Sequence, residues 1–180
     1  MATSDDPRNA ALTLLARRDF SRGELRQRLL RKTRRSYAGS RDSRNGSAKR
    51  AGVDPEGGGP TDSVDPTDPA AIESVLDELE AHGELCDERF VASFARSRLR
   101  RGQGPLRIRH DLAVRGVDAE LIDQHLTFTT AYWIERVLEV RARRFGDALP
   151  QSAAERGRQG RFLAQRGFPS DVIFAAFKSS

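Results

Sequence analysis

Apolar residues recur at spacings of three and four along most of the chain, and the alternation typical of half-buried strands is nowhere sustained. One such stripe carries Ile72, Val75, Leu76 and Leu79, and another carries Trp133, Ile134, Val137 and Leu138. Stripes of this period bury one face of a helix. The pattern therefore predicts an all-α fold of about nine short helices.

Helix starts are marked by residues that satisfy free backbone N–H groups. Ser21 and Glu24 have the spacing of a capping box, in which each side chain accepts a hydrogen bond from the other residue's backbone N–H. Phe20 and Leu25 have the spacing of the hydrophobic staple that accompanies this motif, and we expect the helix to run to about Lys32. Further starts are predicted at Asp6–Pro7, Asp68–Pro69, Asp87, Gly104–Pro105, Asp118, Thr130, Ser152–Glu155 and residue 170.

Residues 33–69 differ in composition from the rest of the chain. They contain six Gly, four Pro and five Ser, with Tyr37, Val53 and Val64 as the sizeable apolar side chains. Such a segment buries too little apolar surface to offset the entropy of ordering it. We predict a disordered insertion, which is either a tolerated surface loop or an interaction tail.

An internal repeat is indicated at an offset of 51 residues. The matched pairs are Leu112 with Leu163, Gly116 with Gly167, Val117 with Phe168, Ile122 with Ile173, and Leu126 with Phe177. In a first triplet of helices Leu29 corresponds to Leu112 and Ile72 to Ile122, with 33 extra residues between them. The sequence thus predicts three-helix repeats over 1–86 (interrupted by the insertion 33–69), 87–127 and 128–180, packed in series as an elongated, curved body. The alternative is a compact nine-helix domain with accidental similarity.

The amino-acid composition indicates which kinds of partner, core and cellular compartment to expect. The 180 residues include 31 Lys and Arg against 26 Asp and Glu, so the net charge of +5 favours a polyanion or an acidic protein surface. A mean hydropathy of −0.62 favours several small cores over one deep core. Cys86 is the single cysteine, which excludes an intrachain disulfide and a cysteine-rich zinc site. Without a long apolar run or a secretion signal, we expect a cytoplasmic protein that does not contact a membrane.

Arginines are concentrated in two places. The first arginine cluster consists of Arg96, Arg98, Arg100, Arg101, Arg107 and Arg109, and the second consists of Arg141, Arg143, Arg144 and Arg161. Guanidinium groups bind carboxylates and phosphates bidentately, so both clusters are candidates for binding a protein partner or DNA. The alternative is a solvated surface, because Arg outnumbers Lys 28 to 3 throughout the chain.

Signatures of catalysis are missing from the sequence. It has no phosphate-binding glycine loop, no paired metal ligands, and no nucleophile with a histidine partner in a recognisable motif. We therefore expect a protein that is not an enzyme and that uses no metal or cofactor.

Three segments resemble the RecX family. They are Gly83-Glu-Leu-Cys-Asp-Glu-Arg-Phe90, Gly104-Pro-Leu-Arg-Ile-Arg-His-Asp-Leu112 and Arg115-Gly116-Val117, and the run from Ala11 to Leu30 is similar to the family's first repeat. The resemblance covers about 140 residues, everything except the insertion. The chain departs from the family's pattern at Cys86, at the insertion, and at Gln159, where Ile108 of the second repeat predicts an apolar residue.

The resemblance implies a regulator of homologous recombination and DNA repair, built from tandem three-helix repeats. Such a protein binds the RecA recombinase filament on single-stranded DNA and inhibits its ATPase and strand exchange. We expect this one to act as a monomer. The alternative is an Arg-rich protein that binds DNA phosphates directly, with residues 21–32 as a recognition helix bearing Arg22, Arg26, Arg28 and Arg31.

Overall fold

A computed structural model of the protein describes residues 6–45 and 68–178, with side chains described for residues 6–34 and 68–178. Within these ranges it contains nine α-helices and no strand, which confirms the predicted all-α class. The helices are α1 (Pro7–Leu15), α2 (Arg22–Asn45), α3 (Pro69–Ala81), α4 (Asp87–Arg100), α5 (Pro105–Ala113), α6 (Ala119–His125), α7 (Thr130–Phe145), α8 (Ala153–Gln165) and α9 (Ser170–Lys178).

The predicted capping residues stand at the starts of these helices. The backbone N–H of Glu24 donates to Ser21 Oγ at 3.1 Å before α2, and Phe20 and Leu25 of the staple are both buried. Ser152 and Glu155 form a complete capping box at the start of α8. Each such cap satisfies donors that no helix can pair internally, and its loss costs about 1 kcal/mol.

The chain divides into two compact units, and the first, Met1–Cys86, contains α1 to α3. Its core is built from side chains that are at most 8% exposed: Ala10, Ala11, Phe20, Leu25, Leu29, Ile72, Leu76, Leu79 and Leu85. Leu29 and Ile72, which the repeat pattern pairs with core positions of the second triplet, are fully buried here.

Helix α2 corrects the predicted start of the insertion. It continues to Asn45 instead of ending near Lys32, so residues 33–45 are helical, whereas we expected them to be disordered. The segment has little apolar surface to bury, but lengthening an existing helix avoids the unfavourable nucleation step and needs no buried face. The residues directly after Lys32 lack Gly and Pro as far as Ala38. Residues 46–67 of the predicted insertion lie outside the described residues, and its last two residues, Asp68 and Pro69, cap and begin α3.

The second unit, Asp87–Ser180, contains α4 to α9 around two hydrophobic clusters. One cluster lies within α4 to α6 and is built around Ile108 and Leu112, while the other lies within α7 to α9 and is built around Val137 and Leu163. Leu99, near the end of α4, packs against both clusters. The second and third triplets are therefore in direct contact within this unit.

The predicted repeat is visible in how the middle helices of the two triplets end. Leu112 and Leu163 are both fully buried, and the glycines four residues later, Gly116 and Gly167, have φ of +73° and +89°. The residue after each glycine donates its backbone N–H to the carbonyl of Leu112 or Leu163, at 3.3 and 3.2 Å. The same helix-ending turn thus closes α5 and α8.

Position 159 is a core position, as the repeat predicts, although it carries a polar residue. Ile108 is fully buried in the second triplet, and Gln159 at the matching place in α8 is only 4% exposed. Among the described residues none donates a hydrogen bond to Gln159 Oε1. Burying an unpaired amide oxygen costs about 1–3 kcal/mol, so the third triplet carries a local destabilising residue.

Candidate functional site

The first arginine cluster surrounds the connection between α4 and α5. Four of its arginines, Arg96, Arg100, Arg101 and Arg107, are exposed, and no ion pair joins them to any residue in the described ranges. We call these the exposed four. They come from the last turns of α4, the residue that follows it, and the first turn of α5. Their charge is available to an anionic partner.

The other two arginines of that cluster are engaged within the protein. Arg98 Nη2 lies 3.9 Å from Asp111 Oδ2, and Arg109 Nη2 lies 2.8 Å from Asp123 Oδ1. The first pair links α4 to α5 and the second links α5 to α6. The sequence therefore predicted one cluster of six, but two of its members hold the second triplet together.

The ring of Phe94, in α4, contacts two arginines of the second triplet. The guanidinium carbons of Arg98 and Arg115 lie 4.6 and 4.8 Å from the centre of its ring. Arg115 also donates a hydrogen bond to the backbone carbonyl of Asp111. Each cation–π contact contributes about 0.5–1 kcal/mol at a partly exposed site, and together these contacts fix α5 against α4.

The α4–α5 connection is held in place by the turn between α8 and α9. The backbone N–H of Gly104 donates to the carbonyl of Arg166 at 2.8 Å, and that of Leu106 donates to the carbonyl of Gly167 at 3.0 Å. In return Arg166 Nη1 donates to the carbonyl of Arg101 at 2.8 Å. Three hydrogen bonds thus attach the backbone that carries the exposed four to the third triplet.

Two glycines make this close approach possible. A Cβ on Gly104 would lie 2.4 Å from the carbonyl carbon and oxygen of Gly167, and a Cβ on Gly167 would lie 2.4 Å from the Cβ of Arg107. These distances are far below ordinary contact, so neither site has room for a side chain. We call the contact between Gly104 and Gly167 the glycine junction.

Two functional residues of this arrangement were missed by the sequence analysis. Arg136 of α7 donates from Nη2 to the carbonyl of Leu99 at 2.7 Å, which gives the end of α4 a second attachment to the third triplet. Arg166, the other, is aligned with Arg115 by the 51-residue offset, as each precedes the glycine that ends its helix. The offset could have singled out Arg166 as special, but no spacing indicates that its turn meets the α4–α5 connection.

The second arginine cluster is corrected at Arg141. This residue was a candidate for binding a partner, yet it is 1% exposed and its guanidinium donates to the carbonyls of Gly146 (2.7 Å) and Ala148 (2.6 Å). It lies on the same face of α7 as Val137, so its aliphatic stem packs in the core while its head pairs with the loop after the helix. Arg141 is a structural residue that cannot reach a partner.

The remaining members of the second cluster divide in the same way. Arg143 is exposed and paired with Glu139 one turn earlier in α7. Arg144 and Arg161 are exposed and have no ion pair within the described part of the chain. The cluster therefore provides fewer free cations than its sequence predicts.

The predicted recognition helix directs its first arginines toward α3. Arg22 contacts Glu73 (2.8 Å), Asp77 (2.7 Å) and Glu80 (2.6 Å), and Arg26 pairs with Glu73 as well. Burial opposes the charge on Arg22, but the hydrogen bonds that Arg22 donates to these carboxylates, together with their negative charge, outweigh it and raise the pKa of Arg22. The hydrogen bonds from Arg26 and then Arg22 lower the pKa of Glu73 in turn.

The later arginines of that helix have local contacts too. Arg28 Nη2 lies 3.6 Å from Glu24 Oε1 and its guanidinium carbon lies 5.0 Å from the Phe20 ring centre, while Arg31 donates to Gln27 at 3.3 Å. A recognition helix needs side chains free to reach base edges. Since Arg22 and Arg26 hold α2 against α3, the geometry disfavours this alternative.

The described residues contain neither a candidate metal site nor a candidate membrane-spanning helix. No group of three or more His, Cys, Asp or Glu side chains there is arranged to hold a metal ion. In the same ranges no helix has both the length and the apolar character needed to cross a membrane. Cys86 lies half-buried directly before α4.

Two family models and a solved structure match this chain. Residues 87–126 match the family model described as RecX, second three-helix domain, and residues 131–177 match RecX, third three-helix domain. The crystal structure of RecX from Lactobacillus salivarius has a similar fold, with a TM-score of 0.63 at 16% identity over 96% of this chain and 92% of that chain.

Curated relatives match along nearly the whole chain. Regulatory protein RecX of Halorhodospira halophila is 36% identical over 97% of this chain and 88% of its own length. Regulatory protein RecX of Pseudomonas savastanoi pv. phaseolicola is also 36% identical, over 92% of this chain and 86% of its own. With this level of identity across most of both chains, and with the two matching domain models, the chain belongs to the RecX family of regulatory proteins.

Proposed function

We propose that this protein binds the RecA nucleoprotein filament on single-stranded DNA and inhibits its ATP hydrolysis and strand exchange without catalysing a reaction of its own. The resemblance of its motifs and the name of its relatives, regulatory protein RecX, support this role. The observation that carries it is the exposed four, the arginines that flank the fixed α4–α5 connection and have no internal ion pairs in the described ranges.

The exposed four differ from other arginines of the chain in their ion pairing. Carboxylates of the protein form ion pairs with Arg22, Arg26, Arg98 and Arg109 but not with the exposed four. A guanidinium offers a planar fork that fits a carboxylate or a phosphate with two parallel hydrogen bonds. An acidic surface of the filament, or the phosphates of its DNA, therefore supplies the matching groups.

The proposed mechanism is a shift between states of the filament. We propose three repeats, 1–86, 87–127 and 128–180, of which the second carries the exposed four and the third fixes the backbone beside them through the glycine junction. A regulator inhibits only if it binds one state of its target more tightly than another. Here the favoured state is a filament that hydrolyses ATP poorly.

The test measures ATP hydrolysis by the cognate RecA on single-stranded DNA while this protein is titrated in. A variant with Arg96, Arg100, Arg101 and Arg107 all changed to Ala is compared with a control in which Arg17, Arg31, Lys32 and Arg34, exposed cations of the first unit, are changed to Ala. Both variants lose four positive charges. We expect the first to need at least about tenfold more protein for half-inhibition, and the control to resemble the parent.

Equal loss of inhibition in both variants would show that net charge, not this surface, drives binding. Full inhibition by the first variant would overturn the assignment of the exposed four. The second candidate function, direct phosphate binding, is tested by fluorescence anisotropy with a labelled single-stranded oligonucleotide and no RecA. If affinity falls log-linearly with salt, depends on the exposed four, and accompanies no inhibition of RecA, the direct-binding function replaces the filament function.

A further inference from the structure

An open groove of about 800 Å³ lies between α8 and α9, and its lining includes Arg161 of the second arginine cluster but none of the exposed four. Its α8 wall consists of Gly157, Gly160 and Ala164, which present no side chain larger than a methyl group. Its α9 wall carries Phe174 and Phe177. The groove therefore has an apolar lining and enough open volume to admit large side chains of another molecule.

Phe174 is the unusual residue of this lining. It is 60% exposed, while most other large apolar residues of the second unit are buried or half-buried. The backbone of Gly160 opposite is also open, because a Cβ there would have no neighbour within 4 Å. Exposed aromatic surface beside open backbone is typical of a face that packs against a partner.

The rim of the groove is basic. Arg156 and Arg161 border it on α8 and Lys178 borders it on α9, and of these side chains only Arg156 has a hydrogen bond in the described residues, two long ones of 3.5 Å to carbonyls. Lys178 Nζ lies 4.4 Å from the centre of the Phe174 ring. A ligand that fits this groove therefore carries apolar groups at its centre and negative charge at its edges.

We propose that this groove binds an acidic amphipathic helix of a partner protein, with apolar side chains against Phe174 and carboxylates paired with the three rim cations. Helices bind such grooves through apolar residues at spacings of three and four, and the small residues of α8 let a second helix approach closely. The proposal adds a surface to the exposed four and does not depend on the RecA contact.

Two other occupants fit the groove less well. A second copy docked groove to groove would bring Arg156, Arg161 and Lys178 of both copies together, and like charges across an interface oppose association. A nucleic-acid base would stack on the Phe174 ring, but its hydrogen-bonding groups would find no polar side chain on the α8 wall of Gly157, Gly160 and Ala164. The acidic helix satisfies both the apolar wall and the basic rim.

The experiment uses the full chain and a synthetic, fluorescein-labelled peptide with Leu at helical spacings of three and four and Glu at the flanking positions. Binding is measured by fluorescence anisotropy. We expect saturable binding with a Kd of about 100 μM or tighter, and none for matched peptides with Lys in place of Glu or Ser in place of Leu.

Three variants locate the site. Gly160→Leu fills the groove from an open helical position and keeps or improves helix propensity, so it blocks the peptide without unfolding the protein. Phe174→Ala removes the exposed ring, and we expect either change to weaken binding by about tenfold or more. Val114→Ala, which shortens an apolar side chain that is 63% exposed at the end of α5, is the control and should change nothing.

Three results would overturn the proposal. In the first, the acidic peptide does not bind. In the second, Gly160→Leu leaves peptide binding unchanged. In the third, a single-stranded oligonucleotide displaces the peptide from the parent protein, and the binding of that oligonucleotide is lost in Phe174→Ala. Sedimentation velocity completes the test, because dimerisation that is lost in Phe174→Ala would assign the groove to a second copy instead. The assay of RecA inhibition uses variants of the exposed four, whereas the peptide assay uses variants of the groove. Failure of one proposal can therefore be told apart from failure of the other.

Discussion

Gly104→Ala is the most informative change in the second unit, because it adds one methyl group where the chain has no space. Gly104 has φ of −85° and ψ of 170°, values that any residue adopts. Its requirement for glycine therefore comes from the close approach alone. The added Cβ would lie 2.4 Å from the carbonyl carbon and oxygen of Gly167 and 2.5 Å from the backbone N of Phe168.

The size of the effect follows from what must move. All the clashing atoms belong to backbone, so no side-chain rotation relieves them and the two turns must separate by about 1 Å. Overpacking of this kind costs about 1–3 kcal/mol. Separation also weakens the hydrogen bonds from Gly104 to Arg166 and from Leu106 to Gly167, each contributing about 1 kcal/mol. We expect the free energy of unfolding of the second unit to fall by about 3–5 kcal/mol.

Urea unfolding followed by the fluorescence of Trp133 measures this loss. Trp133 is the single tryptophan of the chain, it is 6% exposed, and it contacts Phe168 beside the glycine junction at a ring separation of 6.4 Å. With a urea dependence of about 1–3 kcal/mol/M for a small protein, the midpoint should fall by at least about 1 M.

Two controls isolate the cause. Gly160→Ala adds the same methyl group at an open helical position and should stabilise the unit by about 0.5–1 kcal/mol. Gly104→Ser introduces a favoured N-cap residue for α5, so a loss close to that of Gly104→Ala would confirm that the Cβ is responsible. If Gly104→Ala changes the unfolding free energy by less than about 0.5 kcal/mol, the close approach does not constrain the fold and the reasoning is refuted.

Three further predictions concern single side chains. Arg141→Ala should destabilise the second unit by about 2–4 kcal/mol in the same urea assay, because it removes buried packing and the hydrogen bonds to the α7–α8 loop, whereas exposed Arg144→Ala should change little. Gln159→Leu should stabilise that unit by about 1–3 kcal/mol, since it replaces an unpaired buried amide, and any loss would contradict this. The lowered pKa of Glu73 stabilises the first unit above the usual glutamate pKa of about 4.3, and this stability is lost as the pH falls through the lower folded pKa. The hydrogen-exchange protection factors of the α3 amides, which correct for the pH dependence of intrinsic exchange, should therefore fall below about pH 4.3 in the parent and show a weaker pH dependence in Glu73→Gln.

The sequence predicted well those features that depend on neighbouring residues. Helix starts at Ser21, Asp68 and Ser152 were found because a capping side chain and its target N–H lie within three residues of each other. The core was found because buried positions follow the helical period, and the repeat offset even identified the buried place of Gln159. The end of α2 was missed because helix propagation, unlike core formation, leaves little pattern in the sequence.

The candidate site was only partly predictable, for a physical reason. Clustering along the chain shows where positive charge accumulates, but the acid that neutralises it comes from a different helix, as Asp123 does for Arg109. Burial of Arg141 likewise depends on which face of α7 meets the core and on where the following loop runs. The exposed four could be separated from the other arginines only when these tertiary contacts were known.

The proposed function then depends on residues that carry no charge. An exposed arginine loses about 2 kcal/mol of side-chain entropy when it is fixed, so a binding surface gains if the backbone beneath it is already ordered. The glycine junction orders that backbone at Arg101 and Arg107, through bonds made by Gly104 and the turn at Gly167. Gly104→Ala removes no arginine and leaves the net charge unchanged, but it shifts the backbone on which Arg101 and Arg107 stand. If it weakens inhibition of RecA under conditions where circular dichroism shows the chain to be folded, the position of the arginines, and not their number, determines binding.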